Sequence, residues 1–258
     1  MDIYLDHCVM CDYIAGKDNE IVTKIDSLRD SLSVNLPYSP AHIEEIANIS
    51  KSKIADNLKV KYIKEKLDTI SKITRNYEYL PSFNEIRIDN ESPYDCMMRV
   101  IEDYEQTTGL AEKLQENLFN LRFQVNEQYK IENLFDYPPE NIFEYQPVKD
   151  ELLKFSKNDV NELNNLKNHK NDFHRLQFGI DNLVNFLELI GYYPDSQSRS
   201  RSNMHDVSHL IYASKADYFI TGDKKTRYKA KAIYSFLDLR TKVLDKDEFI
   251  TLQLKQSP

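Results

Sequence analysis

A short apolar run closed by a carboxylate, Asp2-Ile-Tyr-Leu-Asp6, opens this chain, and a similar run, Asp217-Tyr-Phe-Ile-Thr221, stands near its far end. Neither alternates between polar and apolar residues, so each suits a strand buried on both faces, as in the parallel sheets of α/β folds. A third short strand is expected at Thr241-Lys-Val-Leu244. A fourth is expected at Val34-Asn-Leu-Pro-Tyr38, where Ser39-Pro40 then supplies an N-cap and a first-turn proline.

Helical spacing fills most of the rest. Ile21, Ile25 and Leu28 mark one helix. Ile43, Ile46, Ala47, Ile49 and Ile54 mark a second, and Tyr62, Ile63, Leu67 and Ile70 a third. Periodicity fades over 76–107, where loops and short elements are expected. It returns as a long helix over roughly 109–134 and, after Pro138, Pro139 and Pro147, as helical spacing from Val160 to Ile190, and these helices are expected to pair in a hairpin. The polar stretch Asp195–Ser202 predicts a loop, followed by a helix from Met204 to Ala213 and another from Thr226 to Leu237. The expected organisation is an α/β core from residues 1–75 and 195–258, with a mainly helical insertion over 76–194.

The chain has 258 residues, 41% hydrophobic and 29% charged, enough for one sizeable core. Five glycines and nine prolines argue against an all-β chain rich in tight turns. Cys8, Cys11 and Cys96 are odd in number and form no disulfide framework, which fits a reducing interior. The first residues lack a basic-then-apolar leader, and no apolar run approaches the ~18 residues of a membrane span, so a soluble, cytoplasmic protein without a membrane partner is expected. A net charge of -8 argues against wholesale coating of nucleic acid. It is compatible with an enzyme that gathers carboxylates around divalent cations and guides a phosphate backbone with a local basic strip.

Polar residues at the carboxyl ends of parallel strands carry the most weight in such a fold. Asp6 ends the first strand, and Asp223 follows the strand ending at Thr221. Asp206 is expected in the first turn of the preceding helix, and Glu45 lies one turn into the helix after Pro40. Four converging acids repel one another unless cations sit among them, and Mg²⁺ favours a few carboxylates plus waters. Glu44 competes with Glu45. Glu45 is preferred because it lies three residues after His42, and His209 shares a helix side with Asp206 in the same way.

Taken in order, Ile3-Tyr-Leu-Asp6, Tyr38-Ser-Pro-Ala-His-Ile-Glu-Glu-Ile46, His205-Asp-Val-Ser-His209 and Thr221-Gly-Asp223 resemble the successive motifs of PIN-like domains. The resemblance implies a three-layer α/β/α fold with a central parallel sheet and Mg²⁺- or Mn²⁺-dependent nuclease activity, with RNA favoured over DNA. It implies metal-binding, catalytic roles for Asp6, Glu45, Asp206 and Asp223, supported by His42, Glu44, His209 and Thr221. It covers about residues 1–55 and 195–250, and the middle of the chain has no counterpart in a minimal PIN domain. A toxin, a defence effector and an RNA-processing enzyme are all consistent with it.

Lys224, Lys225, Arg227 and Lys229, with Lys231 and with Arg199 and Arg201 of the polar loop, are the expected guides for nucleic acid. An ordinary solvated helix face has the same composition. Single aspartates at helix starts are also explained by capping alone, and His42 and His209 by local hydrogen bonding. Cys8-Val-Met-Cys11, with His7 beside it, has metal-compatible spacing. No second Cys/His pair follows at zinc distance, so small buried side chains are expected there, with no zinc and no cysteine nucleophile. Apolar stripes in the middle helices would serve the core, with any excess left for an inhibitor, a complex partner or a homo-oligomer. Besides a ribonuclease, the residues admit a flap or single-strand DNA nuclease, a phosphotransfer domain and an inactive PIN-like binding module.

Overall fold

The computed structural model describes residues 1–101, 131–157, 160–168, 172–195 and 200–253. The helix expected over 109–134 lies outside them except for residues 131–134, which form turns, and Arg199 also lies outside. The described strands are β1 (Ile3–Leu5), β2 (Tyr77–Pro81), β3 (Ile86–Asn90), β4 (Tyr218–Ile220) and β5 (Lys242–Leu244). The helices are α1 (His7–Ala15), α2 (Asn19–Arg29), α3 (Pro40–Ala47), α4 (Asp56–Thr74), α5 (93–101), α6 (Gln146–Phe155), α7 (Val160–Lys167), α8 (Phe173–Leu189), α9 (Ser200–Ala213), α10 (Lys224–Phe236) and α11 (Lys246–Thr251). None of them is long and apolar enough to cross a membrane.

The fold is mixed α/β, with a parallel sheet in the order β1-β4-β5. Its register sets Leu5 opposite Ile220 and Ile220 opposite Leu244, so Asp6, Thr221 and Asp245 follow at one carboxyl edge. β2 and β3, five residues each, pair antiparallel as a hairpin within the stretch where loops and short elements were expected. Val34–Tyr38 is not the continuous strand that was expected. It makes two single parallel bridges, Asp2 with Asn35 and Tyr38 with Glu78, because Pro37 between them has no N–H to continue a ladder. These bridges still set the segment between β1 and the hairpin.

Strand residues alternate between two apolar clusters. Tyr4, Phe219 and Val243 pack with α8, α9 and α10, whereas Ile3, Leu5 and Ile220 pack with α1, α2, α3 and α4. Leu134, Ile142, Phe143, Val148 and Leu152 share the first cluster. Described residues from the middle of the chain thus contribute to both clusters, since Cys96, Met97 and Val100 of α5 pack in the second. The 109–134 partner of the expected helical hairpin lies outside the described residues, and within the Val160–Ile190 stretch α7 packs on α8 at Gly179. A Cβ there would lie 3.8 Å from Leu166 Cδ2 and 3.9 Å from the Leu166 carbonyl oxygen.

Two helix boundaries differ from expectation. α3 stops at Ala47, and Ile54 is 40% exposed. The Ser50 and Ser52 hydroxyls donate to the carbonyls of Ala47 and Ile49, each at 2.6 Å, and hold the chain in a tight 3-10 turn. α9 begins at Ser200, inside the expected loop, so Asp206 sits well into the helix and outside its first turn.

Candidate metal centre

The sheet ladder fixes Asp6, whose N–H donates to the Ile220 carbonyl at 2.9 Å. Its Oδ2 accepts from the Thr221 hydroxyl at 2.6 Å and from the Cys8 thiol at 3.3 Å. The same Thr221 oxygen accepts the Asp223 N–H at 3.1 Å. One hydroxyl thus joins the first strand end to the fourth, and Asp6 and Asp223 stand at the same edge.

α3 is locked to β1 by His42. Its Nδ1 accepts the Ser39 N–H at 3.1 Å, the return arm of a capping box, so Nε2 carries the hydrogen and donates to the Leu5 carbonyl at 2.8 Å. Burial, followed by the charge of His209, holds His42 well below the usual histidine pKa, and it stays neutral. Glu45, three residues on, reaches back toward Asp6. Its Oε1 accepts from His209 Nε2 at 2.8 Å, and His7 Nε2 lies 3.8 Å from its Oε2. His209 Nδ1 shares a hydrogen bond of 2.8 Å with the Tyr4 hydroxyl, which lies 2.6 Å from the Ser39 hydroxyl. Tyr4, Ser39, His42 and His209 are all fully buried, so the network fixes side chains from β1, α3 and α9 against one another.

Asp6, Glu45 and His209 can each offer one ligand atom, with all three atoms within 4.8 Å of one another. Burial alone would raise the pKa of Glu45, but the His209 hydrogen bond and the charges of His7, His209 and His205 pull it down to about 2. Burial likewise opposes the charging of His209, while Glu45, Asp6 and Asp206 outweigh it and raise its pKa. Asp206 shows the crowding most clearly. Burial first, then the charge of Asp6, with further contributions from Asp195 and Glu45, pushes its carboxyl up to about 8. Carboxyl groups therefore crowd here, with Asp206 held back from ionising and, among the described residues, only histidines to offset the rest, an arrangement that a small divalent cation would relieve.

The other expected site residues are placed differently. Glu44 lies 3.5 Å from His205 Nδ1, one step outside the cluster. Asp223 caps α10, its Oδ1 accepting from the N–H groups of Lys225 at 2.7 Å and Thr226 at 2.9 Å, which leaves Oδ2 clear of the cap bonds. Most of the basic strip is engaged internally. Lys229 is buried and donates to Glu188 and, at 2.7 Å, to Asp195. Lys225 lies 3.3 Å from Asp195, Arg227 pairs with Asp245, and Lys231 lies 3.7 Å from Glu140. Lys224 is exposed, with its ammonium 5.6 Å from the centre of the Tyr228 ring.

Sequence reasoning did not single out Tyr4, Ser39, Glu188 or Asp195 for the site. Glu188, Asp195, Lys229 and Asp206 line a small cleft with Val184, Val207, Leu210 and Thr226. The one available signal was Glu188, an acid within the otherwise apolar Leu187–Ile190 end of α8. Searches of the chain against protein-family models, curated proteins and solved structures find no match.

Proposed function

We propose that the chain is a PIN-like, Mg²⁺- or Mn²⁺-dependent nuclease that hydrolyses phosphodiester bonds, most readily in RNA. One observation carries this reading. Ligand atoms from Asp6, Glu45 and His209, separated by as many as 203 positions in sequence, lie within 4.8 Å of one another, and the neighbouring Asp206 carboxyl is pushed up to about 8. Helices on both faces of the sheet, and the side-by-side placement of β2, residues 35–38, β1, β4 and β5, support a PIN-like three-layer arrangement.

The donor set suits a hard or borderline cation. Asp6, Glu45 and Asp206 would hold it through carboxylate oxygens, with Asp223 Oδ2 at the rim. A bound ion of this kind supplies Lewis acidity and a water of lowered pKa. The chain's own residues do the positioning. Thr221 and Cys8 hold Asp6 Oδ2 and turn Oδ1 toward His209, 3.9 Å away. His209 orients Glu45, and Tyr4 orients His209. Lys224, exposed at the mouth of α10 just after Asp223, is the cation best placed to meet a phosphate. The chemistry needs a cytoplasmic or similarly nucleic-acid-rich setting and no membrane.

The test is digestion of matched single-stranded RNA and DNA by purified protein with Mn²⁺, beside Asp6→Asn of unchanged circular dichroism. Cleavage by the parent and its loss in the variant are expected, and the faster substrate decides between RNA and DNA. Failure of the parent to cut either nucleic acid would sink the proposal. One observation favours a second reading, an inactive module of the same fold. His209 and Thr221 already give Glu45 and Asp6 hydrogen-bond partners without an ion. Calorimetric Mn²⁺ titration separates the two, since a degenerate cluster takes up no metal.

A further inference from the structure

The three cysteines are free thiols in unlike surroundings. Cys96 is fully buried beside Glu78, its thiol donating to Glu78 Oε1 at 3.2 Å, and burial followed by the Glu78 charge pushes its pKa far up. Cys8 donates to Asp6, and burial with the Asp6 charge raises its pKa too. A carboxylate beside a sulfur works against the thiolate, so both remain protonated and inert.

Cys11 is arranged the other way. It is half-buried on α1, and the Lys66 ammonium from α4 donates to its sulfur at 3.0 Å. Among the described residues no carboxylate forms an ion pair with Lys66. A lysine directed at a sulfur, with no acid competing for it, stabilises the anion. His7 lies one helical turn earlier on α1, on the side of the helix that Cys11 shares. Burial alone would raise the Cys11 pKa, yet His7 and Lys66 together bring it below the usual thiol value.

From this geometry we propose that Cys11 is a modification site, a nucleophilic thiolate held by Lys66 that reacts with peroxides and soft carbon electrophiles. With a peroxide ROOH the sulfur attacks the distal oxygen. An S–O bond forms and the O–O bond breaks, RO⁻ leaves and takes a proton from water, and Cys11 becomes a sulfenic acid. With iodoacetamide the sulfur displaces iodide and becomes a thioether. Cys8 is a poor resolving thiol because its proton is held toward Asp6, so the sulfenic acid persists until an external thiol reduces it. Neither Cys11 nor Lys66 belongs to the metal cluster, so the Cys11–Lys66 pair can be tested without metal or nucleic acid.

The test is iodoacetamide labelling of the full chain near neutral pH, with each cysteine followed by peptide mass spectrometry. Cys11 should react at least ~10-fold faster than Cys8 and Cys96, in line with thiolate control of reactivity. Lys66→Gln should slow it several-fold and Lys66→Arg should keep most of the rate. After hydrogen peroxide, dimedone should mark Cys11 alone. A Cys11 rate equal to that of Cys8, or one unmoved by Lys66→Gln at unchanged circular dichroism, would overturn the proposal. So would a pH profile of the unaltered protein placing the Cys11 midpoint at or above that of a free thiol, a readout that needs no variant to fold.

Discussion

Two clusters in this molecule each bring two carboxylates and one softer donor together, a histidine nitrogen in one and a cysteine sulfur in the other, and balance their charge in opposite ways. Asp6, Glu45 and His209 meet at the sheet edge, while Glu78, Glu91 and Cys96 meet beside the β2–β3 hairpin. In the second, one Arg99 nitrogen donates to Glu78 at 2.7 Å and to Glu91 at 2.8 Å, so a guanidinium stands where a cation would. In the first, no lysine or arginine among the described residues pairs with Asp6, Glu45 or Asp206, and only histidines offset the charge. A cluster neutralised by its own arginine is architecture. One offset only by histidines, at a strand end, is a candidate for chemistry, and the contrast can be tested at both places.

The largest expected effect is on cleavage. Asp6→Asn should lower Mn²⁺-dependent nuclease rates by roughly 10²–10³-fold, the scale of losing one electrostatic stabiliser, with the fold retained. Arg99→Gln should leave those rates near the parental level. Equal losses in both variants would erase the distinction between the clusters. Next in size is Lys229→Met. It sets the buried Glu188 and Asp195 side by side without their lysine and should cost about 3–5 kcal/mol in urea unfolding. Arg99→Gln should cost less, about 1–3 kcal/mol, because Arg99 is half exposed and Glu78, pushed up to about 8 chiefly by burial, can take a proton instead.

The clusters should also respond differently to pH and metal. Asp206 and Glu78 both have folded-state pKa values near 8, above their usual 3.8 and 4.5. Between those limits the folded chain keeps protons that the unfolded chain has released, so metal-free stability falls as pH rises from about 5 to 8. Mn²⁺ should offset the Asp206 share of that fall, raising the melting temperature most at the alkaline end, by roughly 5 °C or more. The Glu78 share should remain. Asp206→Asn should flatten the metal-free slope and abolish the metal response, and a response that persists in this variant would move the metal away from the sheet edge.

The difference in legibility between strands and site has a physical basis. Ile3–Leu5 and Tyr218–Ile220 could be read because a strand buried on both faces leaves a local signature, the edge strand Lys242–Leu244 from its short β-branched and apolar run, and α3 because Ser39-Pro40 marks its start. The β2–β3 hairpin could not, since its turn through Ser82–Glu85 contains neither glycine nor an Asn-Gly pair. Asp6 and Glu45 were legible from their place after a strand and within a helix. Tyr4, Ser39 and Asp195 act through partners on other elements, which no local pattern encodes. Lys229 misled for the same reason. In Lys224-Lys-Thr-Arg-Tyr-Lys-Ala-Lys231 it reads as one cation among several on a wet face, and only the arrival of Glu188 from α8 makes it a buried partner.

The smallest expected effect concerns the cation of that run left facing solvent. Lys224→Ala removes an exposed ammonium lying over Tyr193 and Tyr228, so its stability cost should stay within about 0.5 kcal/mol. If Lys224 meets the phosphate backbone at the mouth of the site, the variant should raise KM a few-fold at low salt with kcat little changed. The difference from the parent should shrink as salt rises and screens the contact. Lys225→Ala, made beside it, removes a lysine committed to Asp195, so its effect should fall on stability and leave KM alone. A KM shift in Lys225→Ala and none in Lys224→Ala would place the nucleic-acid path on the cleft side of α10, toward Asp195 and Glu188.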